Sequence, residues 1–422
     1  MMPFRHDHGV LIVGGLRVDR LAATYDTPLY VTDADIITAQ YQAMQQAFAR
    51  HPQVTIAYAV KANTALAILA LLQRAGAATD VVSVGEAQIA RRAGFSPQRI
   101  FFTGTSPRTD ELQWLAREGV AINLDSLSMA ERLLPFVTGG TFGVRINPGV
   151  GAGHHEHVVT GAEETKFGLH METLPALCDL LHRHGHQLTR LQAHIGSGIT
   201  DPDPFLILID AMHRAHQCIA HHPAVAIDTI DLGGGFGIPY QPGEPPLDLQ
   251  ALGGTVVARF QECFGGERHL LLEPGRYLVA ESTVLLTRVT TLKPTPHVTF
   301  AGVDAGFHTL LRPILYNAYH HIVAAERMDA PTDQRYTICG PICETGDLFG
   351  RQRSLPTLRE GDLLAICDTG AYGAAMSSTY NSRPRPAEIL VHAGTAHLMR
   401  TRETIDDVVR RDQLPSFLAS SS

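Results

Sequence analysis

Short apolar runs alternate with helical patterns along most of the chain. Eight runs rich in Val, Ile, Leu and Phe have the composition of buried parallel strands. Between them, apolar residues recur at every third or fourth position, as in 64–75 and 204–220, which predicts amphipathic helices. Eight strands with seven intervening helical segments favour a (β/α)8 (TIM) barrel, and an open parallel sheet is the alternative. The eight runs cover residues 54–60, 78–83, 99–104, 121–126, 141–148, 190–197, 229–235 and 269–275.

The pattern changes after the eighth run. Five strand-like runs follow, beginning with 277–293, and no long helix separates them, so they predict a separate β domain. Two N-terminal runs, 11–19 and 28–33, are also strand-like and are expected to join that domain. The sequence therefore predicts an α/β protein with the barrel inserted into a β domain. The segments are 1–33 (N-terminal strands), 34–276 (barrel) and 277–422 (C-terminal β domain).

Composition and charge narrow the functional classes. Of 422 residues, 45% are hydrophobic and 18% charged, which is typical of a globular protein with ample core. The formal charge is −8, so we expect no nucleic-acid partner. No apolar run approaches the length of a membrane span and no signal peptide is recognisable, so we expect no membrane partner. The six cysteines are sparse and irregularly spaced, which indicates reduced thiols in a cytoplasm.

Polar residues fall at or just after the carboxyl end of most predicted barrel strands. In (β/α)8 barrels, that face of the barrel holds the active site. The regularity of this placement therefore predicts a site built from several strand ends. The residues are Lys61, Ser83, Asp125, Arg145, Asn147, His194, Ser197, Gly233–Gly235 and Glu273.

Lys61 is the most distinctive of these residues. Only two other lysines, Lys166 and Lys293, occur in the chain. A lysine at the mouth of a buried strand is costly unless it is paired or reactive. Partial desolvation lowers the pKa of a lysine amine and allows it to form a Schiff base. A lysine that pairs with a carboxylate is the alternative, and the residues alone leave both interpretations open.

Three further motifs suit a phosphate and a flat ring. Gly233–Gly235 follow the seventh strand, where (β/α)8 barrels commonly bind phosphate, although a tight turn would also need glycines. The motif HIGSG offers His194 for ring stacking and Ser197 for a phosphate. In EPGR, Glu273 could hold a protonated pyridine nitrogen and Arg276 could clamp a carboxylate, or the two could simply pair. Together with a Schiff-base lysine, these groups indicate pyridoxal 5′-phosphate (PLP).

The chain resembles the barrel-type PLP-dependent decarboxylases, the family that includes ornithine, arginine and diaminopimelate decarboxylases. The similarity extends in the expected order over nearly the whole chain, and the combination of CETGD with YNSRPRPAEIL is most similar to the diaminopimelate branch. The matching segments are YAVKANT (58–64), TGAEETKFGL (160–169), HIGSG (194–198), DLGGGFGIPY (231–240), EPGRYLVA (273–280), DAGFHTLLRPILYNAYH (304–320), CGPICETGD (339–347) and GAYGAAMSSTYNSRPRPAEIL (370–390).

The resemblance implies a role for each motif residue. Lys61 would form the Schiff base with PLP, and Cys343 would donate a proton after carbon dioxide leaves. Glu344 would recognise the distal ammonium group of the substrate. Cofactor contacts are implied for Lys61, Asp80, Arg145, His194, Ser197, Gly233, Gly234, Gly235, Glu273, Pro274, Gly275, Arg276 and Tyr372. Substrate contacts are implied for Arg276, Arg312, Tyr316, Glu344 and Tyr372.

The implied reaction is the decarboxylation of meso-2,6-diaminopimelate to L-lysine. Arg312 and Tyr316 are four residues apart, so a helix would present both on one face. A small amino-acid substrate with two carboxylates and two ammonium groups needs two cationic clamps and an acid, which Arg276, Arg312 and Glu344 supply. The resemblance also implies a homodimer with shared active sites, because the segment of Cys343 would enter the neighbouring subunit's site.

Two other functions remain open at this stage. A related decarboxylase could act on ornithine, arginine, a carboxylated polyamine or a carrier-bound amino acid. A non-catalytic PLP-binding protein would keep Lys61 and the glycines, but it would not need Cys343, Glu344 and Tyr372. The motif HHEH (154–157) has metal-ligand residue types, but consecutive histidines cannot easily share one tetrahedral ion, so we predict no metal.

Overall fold

A computed structural model describes residues 4–149, 152–153 and 165–418. The motif HHEH and the first part of TGAEETKFGL lie outside these residues. The chain divides into two compact units. One unit runs from Ala34 to Ser282, and the other combines the residues up to Asp33 with those from Thr283 onward.

The first unit contains a closed barrel of eight parallel strands, as the apolar pattern predicts. Each barrel strand pairs in parallel with the next one along the chain, and the eighth pairs with the first. This closure excludes the open sheet. In chain order, the strands are Val54–Ala59, Ala78–Val81, Ile100–Phe102, Ala121–Leu124, Thr141–Arg145, Gln187–Gln192, Val225–Asp231 and His269–Leu272.

Amphipathic helices connect the barrel strands. The helix Asp203–Ile219, for example, buries Phe205, Leu208, Ile209 and Met212, which recur at the spacing of one helical face. Such helices need a buried apolar stripe, and this need explains the periodicity of the sequence between the strands. The helices of this unit are Ala34–Phe48, Leu66–Arg74, Val84–Arg92, Thr109–Arg117, Leu127–Leu133, Leu174–Arg183, Asp203–Ile219, Leu249–Phe264 and Arg276–Val279.

The second unit is built on a mostly antiparallel sheet that uses both ends of the chain. The strand Leu29–Asp33 pairs antiparallel with Thr283–Pro294 on one side and parallel with Ala387–His392 on the other. The N-terminal segment therefore joins the C-terminal β domain, as predicted. The remaining strands of this sheet are Thr299–Val303, Ile322–Ala324, Gln334–Cys339, Leu348–Leu355, Leu363–Ile366 and Thr395–Arg400.

Smaller elements complete the second unit. A separate small antiparallel sheet precedes the helix Val18–Tyr25, and two further short helices lie in the C-terminal part. The sheet strands are Arg5–Asp7, Val10–Val13 and Leu16–Arg17, and the short helices are Arg312–Tyr316 and Ile405–Val409. None of the helices in the described ranges is both long and apolar enough to cross a bilayer.

One predicted strand begins later than the sequence indicates. The run 277–293 was predicted as continuous strand, but the strand starts at Thr283 and is preceded by the short helix Arg276–Val279. Tyr277, Leu278 and Val279 are all buried. A short, fully buried apolar run has no polar positions to reveal its period, so its pattern cannot distinguish a helical turn from a strand.

Candidate active site

Lys61 and Asp80 form an ion pair at the carboxyl ends of the first two barrel strands. Lys61 lies in a single 3-10 turn, Val60–Ala62, directly after the first strand. Its Nζ is 2.5 Å from Asp80 Oδ2. The Asp80 side chain is 1% exposed, whereas that of Lys61 is 37% exposed. The pairing explains how the barrel tolerates this lysine, and the exposure leaves its amine accessible to a ligand.

Glu273 places a buried carboxylate near this ion pair. It follows the eighth strand, and its Oε2 accepts a hydrogen bond from Gln192 Nε2 at 3.0 Å. Within the described residues, its Oε1 is buried and accepts no hydrogen bond. Burial raises the pKa of Glu273 to about 7, the negative charge of Asp80 adds to this effect, and Lys61 opposes it. A buried, unsatisfied carboxylate oxygen is suited to a cationic N–H donor, such as a protonated pyridine nitrogen.

Asp231 is a second buried carboxyl group, and it interacts electrostatically with Glu273. Its Oδ1 accepts a hydrogen bond from Gly233 N at 2.9 Å. Burial, followed by the negative charge of Glu273, raises the pKa of Asp231 well above its usual range. Two neighbouring carboxylates repel each other in a buried site, and this repulsion favours a single proton shared by the pair. The stronger upward shift in the pKa of Asp231 favours Asp231 as the site of this proton, with Glu273 as the charged partner. Asp231 begins the segment DLGGGFGIPY, but its role was not predicted from the sequence.

A hydrogen bond joins the His194 ring to the backbone of the glycine loop. Gly234 N donates a hydrogen bond to His194 Nδ1 at 3.2 Å. Burial, with the positive charges of Lys61 and Arg145, lowers the pKa of His194 well below its usual range, so its ring is neutral. Gly233 and Gly235 have φ of +66° and +106°, a region that side chains disfavour. The loop therefore does need its glycines as a turn, which is compatible with a role in binding phosphate.

Arg276 lies beside two hydroxyl groups. Its Nε and Nη2 are 3.3 Å and 3.0 Å from Ser197 Oγ, and its Nη1 donates to Tyr240 Oη at 2.7 Å. The structure thus brings Ser197 and Arg276 together, so both side chains can donate to one anion. Tyr240 was not singled out from the sequence, although it ends the segment DLGGGFGIPY.

Two buried arginines, Arg145 and Arg190, place positive charge inside the barrel. The guanidinium of Arg145 lies 4.4 Å from the ring centre of Phe167, and burial lowers the pKa of Arg145. Arg190 Nε donates to Asn123 Oδ1 at 2.8 Å, and the charges of Asp231 and Glu273 act on Arg190. Arg190 was not predicted from the sequence, because its position inside a strand gives no sign that it faces these carboxyl groups.

Pro274 and Gly275 contribute through their backbone positions. The Pro274 carbonyl accepts a hydrogen bond from Ala59 N at 3.1 Å. A Cβ atom on Gly275 would lie 3.1 Å from the side chains of both Ala59 and Ala62. These contacts hold the chain after the eighth strand against the turn that carries Lys61. Direct cofactor contacts by these two residues stay a prediction.

In the second unit, Cys343 and Glu344 lie on an exposed segment between two strands. Cys343 N donates to Asn381 Oδ1 at 3.3 Å, and Glu344 Oε1 accepts from Tyr380 Oη at 2.9 Å. Tyr380 is stacked on Phe307, with ring centres 5.6 Å apart. The structure thus groups Cys343 and Glu344 with a tyrosine and an asparagine from YNSRPRPAEIL.

Arg312 and Tyr316 share one short helix, Arg312–Tyr316, as their spacing predicts. The exposed segment lies against this helix, since a Cβ atom on Gly346 would be 2.7 Å from Ile314 Cδ1. Tyr372 has a positive φ of 58°, which is uncommon for a bulky residue. Strained backbone of this kind often occurs at functional positions, and the substrate contacts of Arg312, Tyr316 and Tyr372 stay predictions.

The sequence and the fold match known decarboxylases. Residues 34–280 match the family described as the pyridoxal binding domain of pyridoxal-dependent decarboxylases. A lysine/ornithine decarboxylase structure from Vibrio vulnificus has a TM-score of 0.78 at 20% identity over 89% of this chain and 97% of that one, which shows a common fold. The first unit is therefore the barrel of a PLP-dependent decarboxylase.

Longer alignments identify the branch. The chain is 44% identical to a diaminopimelate decarboxylase of Methanothermobacter thermautotrophicus over 98% of each chain. It is 36% identical to that of Escherichia coli K12, over 94% of this chain and 96% of the relative. A crystal structure of diaminopimelate decarboxylase from M. jannaschii in complex with L-lysine has a TM-score of 0.92 at 32% identity and 99% coverage of both chains. The chain belongs to the diaminopimelate decarboxylase family, which confirms the resemblance seen in its motifs.

PLP is the cofactor of this family, and the residues of the first unit fit it. Lys61 offers an accessible amine, and Glu273 offers a buried oxygen that lacks a donor among the described residues. His194 provides a neutral ring, and Ser197 with Arg276 provides donors for an anion. Each chemical feature of PLP, namely its aldehyde, ring nitrogen, ring face and phosphate, thus has a suitable side chain in the barrel.

Proposed function

We propose that the protein decarboxylates meso-2,6-diaminopimelate to L-lysine and carbon dioxide, which is the last step of lysine biosynthesis. The observation that carries the proposal is the full-length match to diaminopimelate decarboxylases, together with the grouping of Lys61, Asp80 and Glu273 at the barrel mouth. Membership of a decarboxylase family disfavours a non-catalytic PLP-binding protein.

We assign the cofactor to residues of the first unit. PLP, when bound, supplies the electron sink that makes loss of carbon dioxide from an amino acid feasible. Lys61 holds the cofactor through its amine, and Asp80 orients that amine. Glu273 would hold the proton of the ring nitrogen through its charged carboxylate. The neutral ring of His194 would stack on the flat face of the cofactor, and Ser197 and the glycine loop would bind its phosphate. Asp80, Arg145 and Tyr372 remain assigned near the cofactor.

We assign the substrate mainly to residues of the second unit. Arg312 and Tyr316 bind the carboxylate that the product retains, and Arg276 contributes a second cationic clamp. Glu344 binds the ammonium group at the same end of the substrate as the retained carboxylate. Cys343 delivers a proton from its Sγ to the α-carbon after the bond to the leaving carboxylate breaks. The sidedness of these groups determines which end of the substrate reacts.

Substrate choice is tested directly by carbon dioxide release. The purified protein with PLP is incubated separately with meso-diaminopimelate, ornithine, arginine and lysine. Release from diaminopimelate alone supports the proposal. Comparable or faster release from ornithine or arginine would replace it with the related decarboxylase, and a carboxylated polyamine in a fifth reaction extends the test.

We also propose that the active unit is a cytoplasmic homodimer with shared sites. Cys343 and Glu344 are exposed beside the exposed apolar side chains Ile314 and Leu315, and this combination suits a surface that meets another subunit. All six cysteines lie among the residues that the structure describes and are free thiols there, which suits a reducing compartment.

Two inactive variants are expected to complement each other if the sites are shared. Lys61→Ala lacks the cofactor amine, and Cys343→Ala lacks the proton donor. After subunit exchange, random pairing gives half heterodimers with one intact site each, so about a quarter of the activity should return. The measurement is carbon dioxide release from the mixture, with each variant alone as the control. Exchange is verified with subunits of different mass, and no recovery after exchange would mean that each site lies within one chain.

Glu344→Gln is expected to lower kcat/KM for meso-diaminopimelate by about tenfold to several hundredfold, because it removes the charge that binds the ammonium group. Tyr380→Phe is the matched control. It removes the hydrogen bond to Glu344 Oε1 but keeps the carboxylate, so its effect should be much smaller. Kinetics, melting temperature and PLP content are measured on the same preparations. A normal kcat/KM in folded, PLP-loaded Glu344→Gln would remove Glu344 from the specificity site.

A further inference from the structure

A buried histidine holds the side chain of Arg312. Arg312 Nη1 is 2.8 Å from His320 Nε2, and His320 Nδ1 is 2.8 Å from the carbonyl oxygen of Cys367. His320 is 0% exposed and Arg312 is 6% exposed. His320 ends the segment DAGFHTLLRPILYNAYH, but neither the motif nor the assignments above give it a role.

The hydrogen-bonding groups determine the state of this histidine. A guanidinium can only donate, so Nε2 of His320 must accept and cannot bear a hydrogen. A carbonyl oxygen can only accept, so Nδ1 must be the protonated nitrogen. His320 is therefore neutral and held in one tautomer, since a charged imidazole would direct an N–H toward a cation 2.8 Å away.

The β sheet keeps this histidine in place. His320 and His321 lead into the strand Ile322–Ala324, which pairs with Leu363–Ile366 directly before Cys367. Cys367 N also donates to the His321 carbonyl at 2.8 Å. Both ends of the contact to Nδ1 are thus set by paired backbone, whereas Arg312 lies in a helix of five residues. The sheet fixes His320, and His320 in turn fixes the guanidinium.

A neutral partner has a consequence that an acid would not have. An aspartate or glutamate at this position would orient Arg312 but would also cancel much of its charge. Imidazole orients the guanidinium and leaves its positive charge intact. A buried arginine that is held in this way is suited to bind an anionic group with a defined geometry.

We propose that His320 is a positioning residue for substrate recognition, which orients Arg312 to bind the carboxylate that the product retains. The inference rests on the proposed function, because that function gives Arg312 its carboxylate. His320 would act without touching the substrate itself. The binding of a ligand that lacks the retained carboxylate should therefore not depend on His320.

The test compares two ligands that differ by this carboxylate alone. L-Lysine retains it, and 1,5-diaminopentane has the same carbon chain and both amines but lacks it. The inhibition constants of both ligands are measured against meso-diaminopimelate on PLP-loaded enzyme. The variants are His320→Leu, His320→Gln and Arg312→Gln, with His321→Gln as the matched control on the adjacent residue.

His320→Leu is expected to weaken L-lysine binding about tenfold or more and to leave 1,5-diaminopentane within about twofold, because only L-lysine uses the oriented charge. In His320→Gln the amide oxygen can still accept a hydrogen bond from Arg312, but from a different position. The affinity for L-lysine alone is therefore expected to fall by about threefold to tenfold. His321→Gln should change neither constant. Melting temperature and PLP absorbance are measured for each variant, so that a loss of folding is recognised. If His320→Leu does not fold, the inhibition constants of His320→Gln test the role of His320.

The outcomes separate the inference from the proposed function. Equal weakening of both ligands, or a lower melting temperature with an unchanged ratio of inhibition constants, would make His320 purely structural. A selective loss of L-lysine binding in Arg312→Gln but not in the His320 variants would overturn the inference and leave the role of Arg312 intact. No selective loss in Arg312→Gln would refute the carboxylate assignment in the proposed function itself.

Discussion

Lys61→Ala is expected to lower kcat for diaminopimelate decarboxylation by about 10⁴-fold or more, because no other group can replace an amine that holds the cofactor covalently. Lys61→Arg is the matched control. It preserves a cation opposite Asp80 but cannot form a Schiff base, so it should be as inactive as the alanine variant while retaining more of the stability that the ion pair gives. Carbon dioxide release and melting temperature distinguish the two effects.

Borohydride reduction identifies the same lysine chemically. Reduction of the PLP-loaded wild-type protein should attach the cofactor to Lys61, which peptide mass spectrometry can locate among only three lysines. Recovery of the label on Lys166 or Lys293 would contradict the assignment. Substantial activity in Lys61→Arg would contradict it independently.

Glu273→Gln is expected to lower kcat by about a hundredfold or more, since an amide cannot offer a negative charge to a protonated ring nitrogen. Asp231→Asn is the informative comparison, because asparagine resembles a protonated aspartic acid. Its amide can donate toward Glu273, and its oxygen can still accept from Gly233 N. If the shared proton lies on Asp231, this variant should stay within about threefold of wild type.

The protonation of the Asp231–Glu273 pair can also be measured by spectroscopy, without following the reaction. Infrared spectra of protein with isotope-labelled aspartate side chains should show a protonated aspartic acid at neutral pH, which disappears in Asp231→Asn. A protonated band that moves with labelled glutamate instead would place the proton on Glu273 and reverse the assignment. If Asp231→Asn were as inactive as Glu273→Gln, catalysis would require a proton that can move between Asp231 and Glu273.

Much of the fold could be predicted from the sequence, because each buried parallel strand leaves an apolar run and each covering helix leaves a stripe. Lys61 and Glu273 could be found for a related reason. Both lie just after the apolar residues of a barrel strand, and a charged residue at that position is conspicuous. The strand Leu29–Asp33 could likewise be assigned to the C-terminal sheet from its apolar character, although its pairing partners could not.

The residues that were missed are defined by contacts distant in sequence. Asp231 matters because it interacts with Glu273, and His320 because it lies between Arg312 and the Cys367 carbonyl. Neither contact follows from the spacing of residues along one strand or helix. Arg190 is a third example, since only the closed barrel brings it near the same carboxyl groups. Polar networks inside a protein depend on three-dimensional placement, whereas periodicity reports only which face of an element is buried.

The position of Leu29–Asp33 between two C-terminal strands affects how the chain is made. As the ribosome releases the protein from its N-terminus, this strand emerges before either of its neighbours exists. It gains its first neighbour only after the whole barrel unit has been synthesised, and its second only when Ala387–His392 appears. Until then, an apolar strand with unpaired backbone edges is open to aggregation or to a chaperone. Assembly of the β domain is therefore a late, post-barrel event, and a shortened C-terminus would leave an N-terminal strand exposed.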